Sequence, residues 1–394
     1  MDQKPYVIVI GLDCMTGLQT TRIFVRHQVP VIGVATNRKH YCARTRLPER
    51  IFEVDTSSEA MIELLERLGP DFDMKPVLMP CTDVSVFLIS KHRDRLAPYY
   101  SFALPEHDIV ATLMDKVSFY KYAIENNLAI PPTFFLYNRE DAEHAAQALS
   151  YPAILKPPMK TPLWEKHTKQ KVYKVESADE LLELYERCHD WADSLLVQAW
   201  VVGTESNLFS CNCYFDANFQ PLVTFIARKL RQWPPETGTS CLGEEVRNDI
   251  VLEETLKLFC SVDYYGLGYV EIKRDERTGD HFIIEPNIGR PTGRSAIAEA
   301  GGVELLYTAY CDITGLPLPE NRTQQYLGVK WISLRRDFQS ALYYWRRGDL
   351  SLQDWIRSWR GKKATAIFSW SDPAPFLFDF LKLFDALKGK ILRR

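Results

Sequence analysis

The chain has 394 residues, 46% of them hydrophobic and 25% charged, with a formal net charge of −3. That length suits two or three domains with sizeable cores, and the charge gives no electrostatic case for nucleic acid as a partner. Nine cysteines without a CxxC pair argue against a disulfide frame or zinc site and for a reducing, cytoplasmic setting. No stretch reaches the roughly 20 apolar residues of a membrane span. Residues 1–20, which contain Asp2 and Asp13, make a poor signal peptide.

In chain order, Tyr6–Ile10 is a buried-type strand, followed by a loop with Gly11 and Gly17, a helix through Gln28 and a second strand, Val29–Ala35. This is a βαβ opening with a parallel sheet. The loop GLDCMTG lacks the GxGxxG fingerprint, which argues against a nicotinamide oxidoreductase. Its helix N-terminus reads either as an anion holder or as a plain strand–helix turn. Val77–Met79 ends in a polar loop whose Thr82 and Asp83 are candidates for a substrate pocket, since loops after parallel strands line ligand crevices.

A second unit starts near Met114 with a helix Lys116–Asn126, after which Pro131-Pro132 forces extended chain. The pattern predicts strands at Thr133–Tyr137, Ala153–Lys156, Val172–Val175 and Leu195–Val201, and helices at Glu140–Ala148 and Ala178–Arg187. Lys156 closes an apolar run, so it is either a cation facing a ligand or a strand end reaching for water. Gln198 to Val201 can offer backbone and carboxamide to an adenine edge, and Glu205 can accept from ribose hydroxyls. Asn207–Phe215 and Leu222–Arg228 predict a hairpin, Pro234–Thr239 a mobile loop that could exclude water, and Leu252–Ser261 a helix.

Glu271 and Glu285 carry the most information. They sit in β-type runs, Tyr269–Lys273 and His281–Glu285, separated by the charged turn Arg274–Asp280. Opposed positions on antiparallel strands lie within about 5 Å, where two acids repel unless cations sit between them. With the amide oxygen of Asn287 they make a hard-oxygen set suited to Mg²⁺ on nucleotide phosphates. Ser295–Ala300 and Val303–Ile313 read as helices. The tail is rich in tryptophan, with Trp331, Trp345, Trp355, Trp359 and Trp370. Phe376, Phe380, Leu383, Phe384 and Leu387 then fall at helical spacing, followed by Lys388, Lys390, Arg393 and Arg394. Docking on the parent domain, or a homodimer contact, is the preferred reading of this stripe over a membrane interface.

Lys116, Lys156 in ILKP, Gln198 through Glu205, and Glu271…Glu285-Pro286-Asn287 resemble, in order and context, the motifs of the ATP-grasp superfamily. The stretch RKLRQWPPETGTSCLGEEV resembles the loop of its carboxylate–amine ligase branch, and the opening and tail look most like predicted bacterial ATP-dependent carboligases, with D-aspartate ligases as more distant relatives. The resemblance covers about residues 1–315. Gln198 stands where many relatives carry glutamate, and Pro286 between Glu285 and Asn287 is unusual.

The resemblance implies an α/β fold of three parts: a Rossmann-like pre-ATP-grasp domain over 1–112, an ATP-grasp domain over 113–316 with ATP between two subdomains, and an extension over 317–394. It implies ATP as co-substrate, held by Lys116, Lys156, Gln198, Ala199, Trp200, Val201, Glu205 and Arg228, and Mg²⁺ (or Mn²⁺) on Glu271, Glu285 and Asn287. Arg231, Arg290 and Lys229 would serve catalysis, with Arg294 a further candidate cation. The implied reaction joins a small-molecule carboxylate to an amine through an acyl phosphate. An amino acid or a uronic-acid sugar would each fit as substrate, and an ATP-binding scaffold without turnover is the alternative.

Overall fold

The computed structural model describes residues 4–158, 162–168, 170, 172–235 and 238–381. The first unit is a parallel sheet built from β1 (Val7–Ile10), β2 (Val31–Ala35), β3 (Arg50–Glu53) and β4 (Val77–Pro80), in the order β3-β2-β1-β4. β1, β2 and β4 are buried along their whole length, as strands covered by helices on both faces must be. The loop after β1 closes tightly. Gly11 has φ +90°, a Cβ at Gly17 would collide with the Gly11 carbonyl, and Cys14 Sγ accepts from Gly17 N to cap the helix Met15–Arg26. β3, with charged residues at both ends, gave no apolar signal and takes its place only as the edge partner of β2.

The second sheet is antiparallel and small. It comprises β5 (Thr133–Leu136), β6 (Ala153–Lys156), β7 (Tyr173–Val175) and β8 (Leu195–Ala199), in the order β5-β8-β6-β7. The helices Arg139–Ala148 and Ala178–Cys188 cover it, with Leu136, Ala142, Leu155, Trp164, Leu181 and Val197 in their shared core.

The third sheet has seven strands: β9 (Leu208–Phe215), β10 (Pro221–Trp233), β11 (Thr239–Glu245), β12 (Gly266–Arg274), β13 (His281–Ile288), β14 (Lys330–Ile332) and β15 (Lys363–Thr365). Their order is β13-β12-β9-β10-β11-β14-β15. Residues of β9, β12 and β13 share one hydrophobic core with Ile8, Ile10, Val34 and Leu78, so the first unit and the large sheet pack as one body.

β10 runs five residues past the expected Leu222–Arg228, and the expected mobile loop narrows to 234–238, of which 236 and 237 lie outside the described residues. The physical reason is that β11 pairs with this stretch from Ala227↔Glu245 to Trp233↔Thr239. The charges of RKLRQW are then matched across the fold rather than exposed on a loop. A register shift between Lys229 and Arg231 leaves Leu230 as a bulge.

The segment after Leu316 continues the same sheet instead of standing apart. β14 pairs with β11, and β15 pairs parallel with β14. Trp331 is fully buried, its indole N–H donating to Gln19 Oε1 at 3.3 Å. The chain then returns to the first unit, where Arg22 donates to Asp372 Oδ2 at 3.0 Å and to Ile367 O at 2.8 Å. Residues 374–381 are helical, and Phe376 packs against the core while Arg335 donates to Asp379 Oδ2 at 3.1 Å, so this start of the terminal stripe docks on the parent body. Leu383, Phe384, Leu387 and the four terminal cations lie outside the described residues.

The anchor between tail and sheet is Asp337, on the helix Leu334–Arg347. Its side chain is fully buried and accepts from Arg231 Nε (2.8 Å), Trp355 Nε1 (2.9 Å) and Trp359 Nε1 (2.7 Å). Removing one member of such a buried pair strands the other charge. Asp337→Ala is therefore expected to cost roughly 3–5 kcal/mol in urea unfolding, whereas a loss under 1 kcal/mol would show that the pair does not anchor the tail.

Candidate active site

A cleft of about 1000 Å³ opens between the small antiparallel sheet and the large one. Lys116, Lys156, Gln198, Ala199, Trp200, Val201, Glu205, Arg231, Glu285, Asn287 and Arg290 all line it, although they span 175 positions of sequence from Lys116 to Arg290. Arg228, Lys229 and Glu271 do not line it.

The cationic end begins with the helix Lys116–Glu125, capped by Asp115 accepting from Ser118 N at 2.8 Å. Lys116 occupies its first turn, where the helix dipole already presents positive partial charge, so a cation there is unfavourable unless an anion answers it. Lys156, on the last position of β6, faces the same region with its ammonium 5.6 Å from the centre of the Tyr120 ring. Burial first, then repulsion from Lys116, lowers the Lys156 ammonium to about 8, with Glu285 pulling weakly the other way. Lys156 thus stands as a partly buried cation on the cleft wall.

The acidic end is the β12–β13 pair, where Glu271 and Glu285 are direct register partners and Tyr269 faces Asn287. The two acids are treated differently by their surroundings. Glu271 is desolvated, but Lys229 Nζ at 3.2 Å and Arg294 at 3.9 Å outweigh that cost and hold its carboxyl below the usual range. Glu285 is accessible from the cleft yet ringed by protein. Burial and the facing Glu271 push its carboxyl up, and Lys116 and Lys229 only partly offset them. One acid is neutralised by protein cations and the other is left wanting positive charge. Arg290 ties this end to the first unit, donating to Asp83 at the start of the helix Asp83–Lys91 after β4, to Tyr269 Oη (3.0 Å) and to Asn287 Oδ1 (2.7 Å). The buried Nδ2 of Asn287 has no partner among the described residues.

The bulge at Leu230 separates Lys229 from Arg231, which would otherwise share one face of β10. Lys229 goes to Glu271, while Arg231 lines the cleft with its Nε and one terminal nitrogen bound to Asp337 and to Ser358 Oγ (2.9 Å). Arg228 donates to Glu244 Oε2 at 2.9 Å instead of facing the cleft. The Gln198 carboxamide is also engaged within the protein, donating to Thr133 Oγ1 at 2.8 Å and accepting from Tyr120 Oη at 3.4 Å. Beyond it, Ala199 N and Trp200 N bond inward to Pro132 O and Pro152 O, both at 2.9 Å, while Ala199, Trp200 and Val201 all line the cleft.

Several lining residues carried no sequence signal that was used. Tyr120 is one helical turn from Lys116, and that spacing could have found it. Tyr344, Arg347, Asp349 and Leu350 come from the tail, and no local pattern connects them to a site. Among the described residues no three His, Cys, Asp or Glu side chains form a metal cluster. Two carboxylates and an amide, one carboxylate electrostatically unsatisfied, instead fit a divalent cation that shares its shell with phosphate oxygens.

No protein-family model matches the chain. It is 26% identical over 250 residues to the D-aspartate ligase of Enterococcus faecium, a match that covers 60% of this chain and spans 58% of that ligase's length. Among solved structures, biotin carboxylase from Campylobacter jejuni aligns with TM-score 0.63 and 15% identity, covering 82% of this chain and 74% of that one. N5-carboxyaminoimidazole synthetase from Staphylococcus aureus, solved with ADP, aligns with TM-score 0.62 and 14% identity over 81% and 79% of the two chains. Phosphoribosylglycinamide synthetase from Anaerococcus prevotii gives 0.62 and 15% over 79% and 76%.

The lowered Lys156 ammonium has a measurable consequence. Between about 8, its folded value, and 10.5, its unfolded one, the unfolded chain holds a proton that the folded one has shed. The penalty of burying this cation is therefore lifted as pH rises through that window. The stability of the wild type relative to Lys156→Met should rise by on the order of 1–3 kcal/mol from pH 8 to pH 10.5 in urea melts; a flat difference would show that Lys156 is well solvated.

Proposed function

Because this chain has the ATP-grasp fold, we propose that it is an ATP-dependent carboxylate–amine ligase that works through an acyl phosphate. The observation that carries this reading is the polarity of one cleft. Two lysines and a helix N-terminus stand at one side, and Glu285 and Asn287 stand at the other, with Glu271 opposite Glu285 behind that wall. A triphosphate bridges such ends: its oxygens answer Lys116 and Lys156, and its metal answers Glu285. The similarity to a D-aspartate ligase supports the class of reaction.

In this mechanism the purine lies against the apolar part of the cleft, with Ile154, Leu208, Leu230 and Ile284, and the Val201 main chain reads its edge. Glu205 takes the ribose. Lys116 and Lys156 neutralise the α- and β-phosphates, which offsets the repulsion between the two ammonium groups and favours the charged form of Lys156. Glu285 and Asn287, with Glu271 behind them, would hold Mg²⁺, which when bound supplies charge neutralisation at the β- and γ-phosphates. Arg290 orients the acceptor carboxylate, as a guanidinium fork suits.

A carboxylate oxygen then attacks the γ-phosphorus in line, the bond to the β–γ bridging oxygen breaks and ADP leaves. The amine nitrogen attacks the acyl carbon and loses a proton, and phosphate departs as the amide forms. No covalent protein nucleophile is required. Arg231, pinned to Asp337, serves as a fixed positive charge on the wall beside the transferring group. Arg228 and Lys229 act from behind the cleft, Lys229 by keeping Glu271 ionised.

Glu285→Gln tests the reading. It removes the acid that lacks its own protein cation, so ADP formation should fall by at least 100-fold at saturating ATP and Mg²⁺, a loss of the order seen when a key charge-stabilising group is deleted. The melting temperature should hold or rise, because the repulsion between two facing carboxylates is relieved. Wild-type turnover in this variant would overturn the metal assignment. For the chemical route, ATP, Mg²⁺ and a competent acid should yield a hydroxamate when hydroxylamine replaces the amine. An acid that supports amide formation yet gives no hydroxamate would exclude the acyl phosphate.

A further inference from the structure

We propose that Tyr344, contributed by the tail, is a positioning residue for ribose recognition: it orients Glu205 so that the carboxylate takes a vicinal diol. The proposal rests on the reading of the cleft as a nucleotide site and adds to it a residue from a segment that the sequence pattern left outside the site.

Glu205 begins a short 3₁₀ turn, Glu205–Asn207, just beyond β8. Its two oxygens are held from two directions. Gln232 N, near the end of β10, donates to Oε2 at 2.9 Å, and the Tyr344 hydroxyl donates to Oε1 at 2.6 Å. The two donors reach different oxygens of the carboxylate, so together they fix its orientation.

The placement of Tyr344 is built into the fold. It lies seven residues, two helical turns, after Asp337 on the helix Leu334–Arg347, and therefore on the same side of that helix. Asp337 clamps that side to β10 through Arg231, and the indoles of Trp355 and Trp359 hold the carboxylate in turn. Arg347 at the helix end, and Asp349 and Leu350 just past it, line the same cleft, with Arg347 Nε 2.9 Å from Asp349 Oδ2. The tail thus closes the ribose end of the cleft as a third wall. A ribonucleoside offers two adjacent hydroxyls to an oriented carboxylate, and a 2′-deoxynucleoside offers one.

The test is calorimetric titration of the full-length protein with ATP and with 2′-deoxy-ATP, together with steady-state ADP release. The wild type should bind ATP about tenfold more tightly than 2′-deoxy-ATP, the worth of one charge-assisted hydrogen bond. Tyr344→Phe should raise the KM for ATP about fivefold with kcat nearly unchanged, bring the ATP/2′-deoxy-ATP ratio down to about two, and keep the melting temperature. In a Glu205→Ala background the same Tyr344→Phe change should have no further effect on either nucleotide, because Tyr344 acts through Glu205. A discriminating wild type whose ratio survives Tyr344→Phe would overturn the proposal and leave the nucleotide reading standing. A full additional loss from Tyr344→Phe in the Glu205→Ala background would do the same. A wild type that binds neither nucleotide would overturn the reading of the cleft itself, and the proposal with it.

Discussion

Two carboxylates set opposite each other by the β12–β13 register organise the chemistry-bearing half of the molecule. Like charges at the spacing of a cross-strand pair repel, and low local polarity magnifies the cost. The fold answers it unevenly. Lys229 from β10 and Arg294 from the segment beyond β13 come to Glu271. Among the described residues Glu285 makes no comparable ion pair, and it looks across the cleft toward Lys116. The imbalance is mirrored there, where Lys156 is pressed to give up its proton by burial and by Lys116. Excess negative charge on one wall and excess positive charge on the other stay apart, and the cleft between them is left with a strong field. Such a field costs stability in an empty protein and is useful when a ligand carries both signs, as a metal–triphosphate does.

The walls that hold these charges come from parts of the chain with different structural obligations. The small antiparallel sheet has its own core and supplies Lys156 and the Gln198–Val201 edge. The large sheet shares a core with the parallel unit, which is how Asp83 comes to meet Arg290. The tail is bound into that body by β14, by Trp331 under the first helix and by the Arg231–Asp337 pair. One arginine therefore joins packing to the site: its buried bonds fix the tail, and its position on the cleft wall depends on that fixing. The bulge at Leu230 is what allows this, since it sends Lys229 and Arg231 to different acids.

What the sequence determined by itself was the set of elements with strong local patterns and the residues placed at their ends. Alternation and apolar runs marked β1, β2 and β4, the strand ending in Lys156 and the two strands that carry the acids, and a spacing of fourteen residues around a charged turn was enough to set Glu271 against Glu285. Those features are local because a hairpin register is fixed by its own turn and pleat. The tertiary structure decided what no window of sequence contains. It decided that RKLRQW is strand rather than loop, because β11 is there to pair with it, and that its cations are divided among Glu244, Glu271 and Asp337. It turned Gln198 inward onto Thr133 and Tyr120, and it brought Tyr344 to Glu205 across 139 positions of chain. Charge pairing and burial act through space, and a residue's partner is set by which strands and helices pack together, not by its neighbours along the chain.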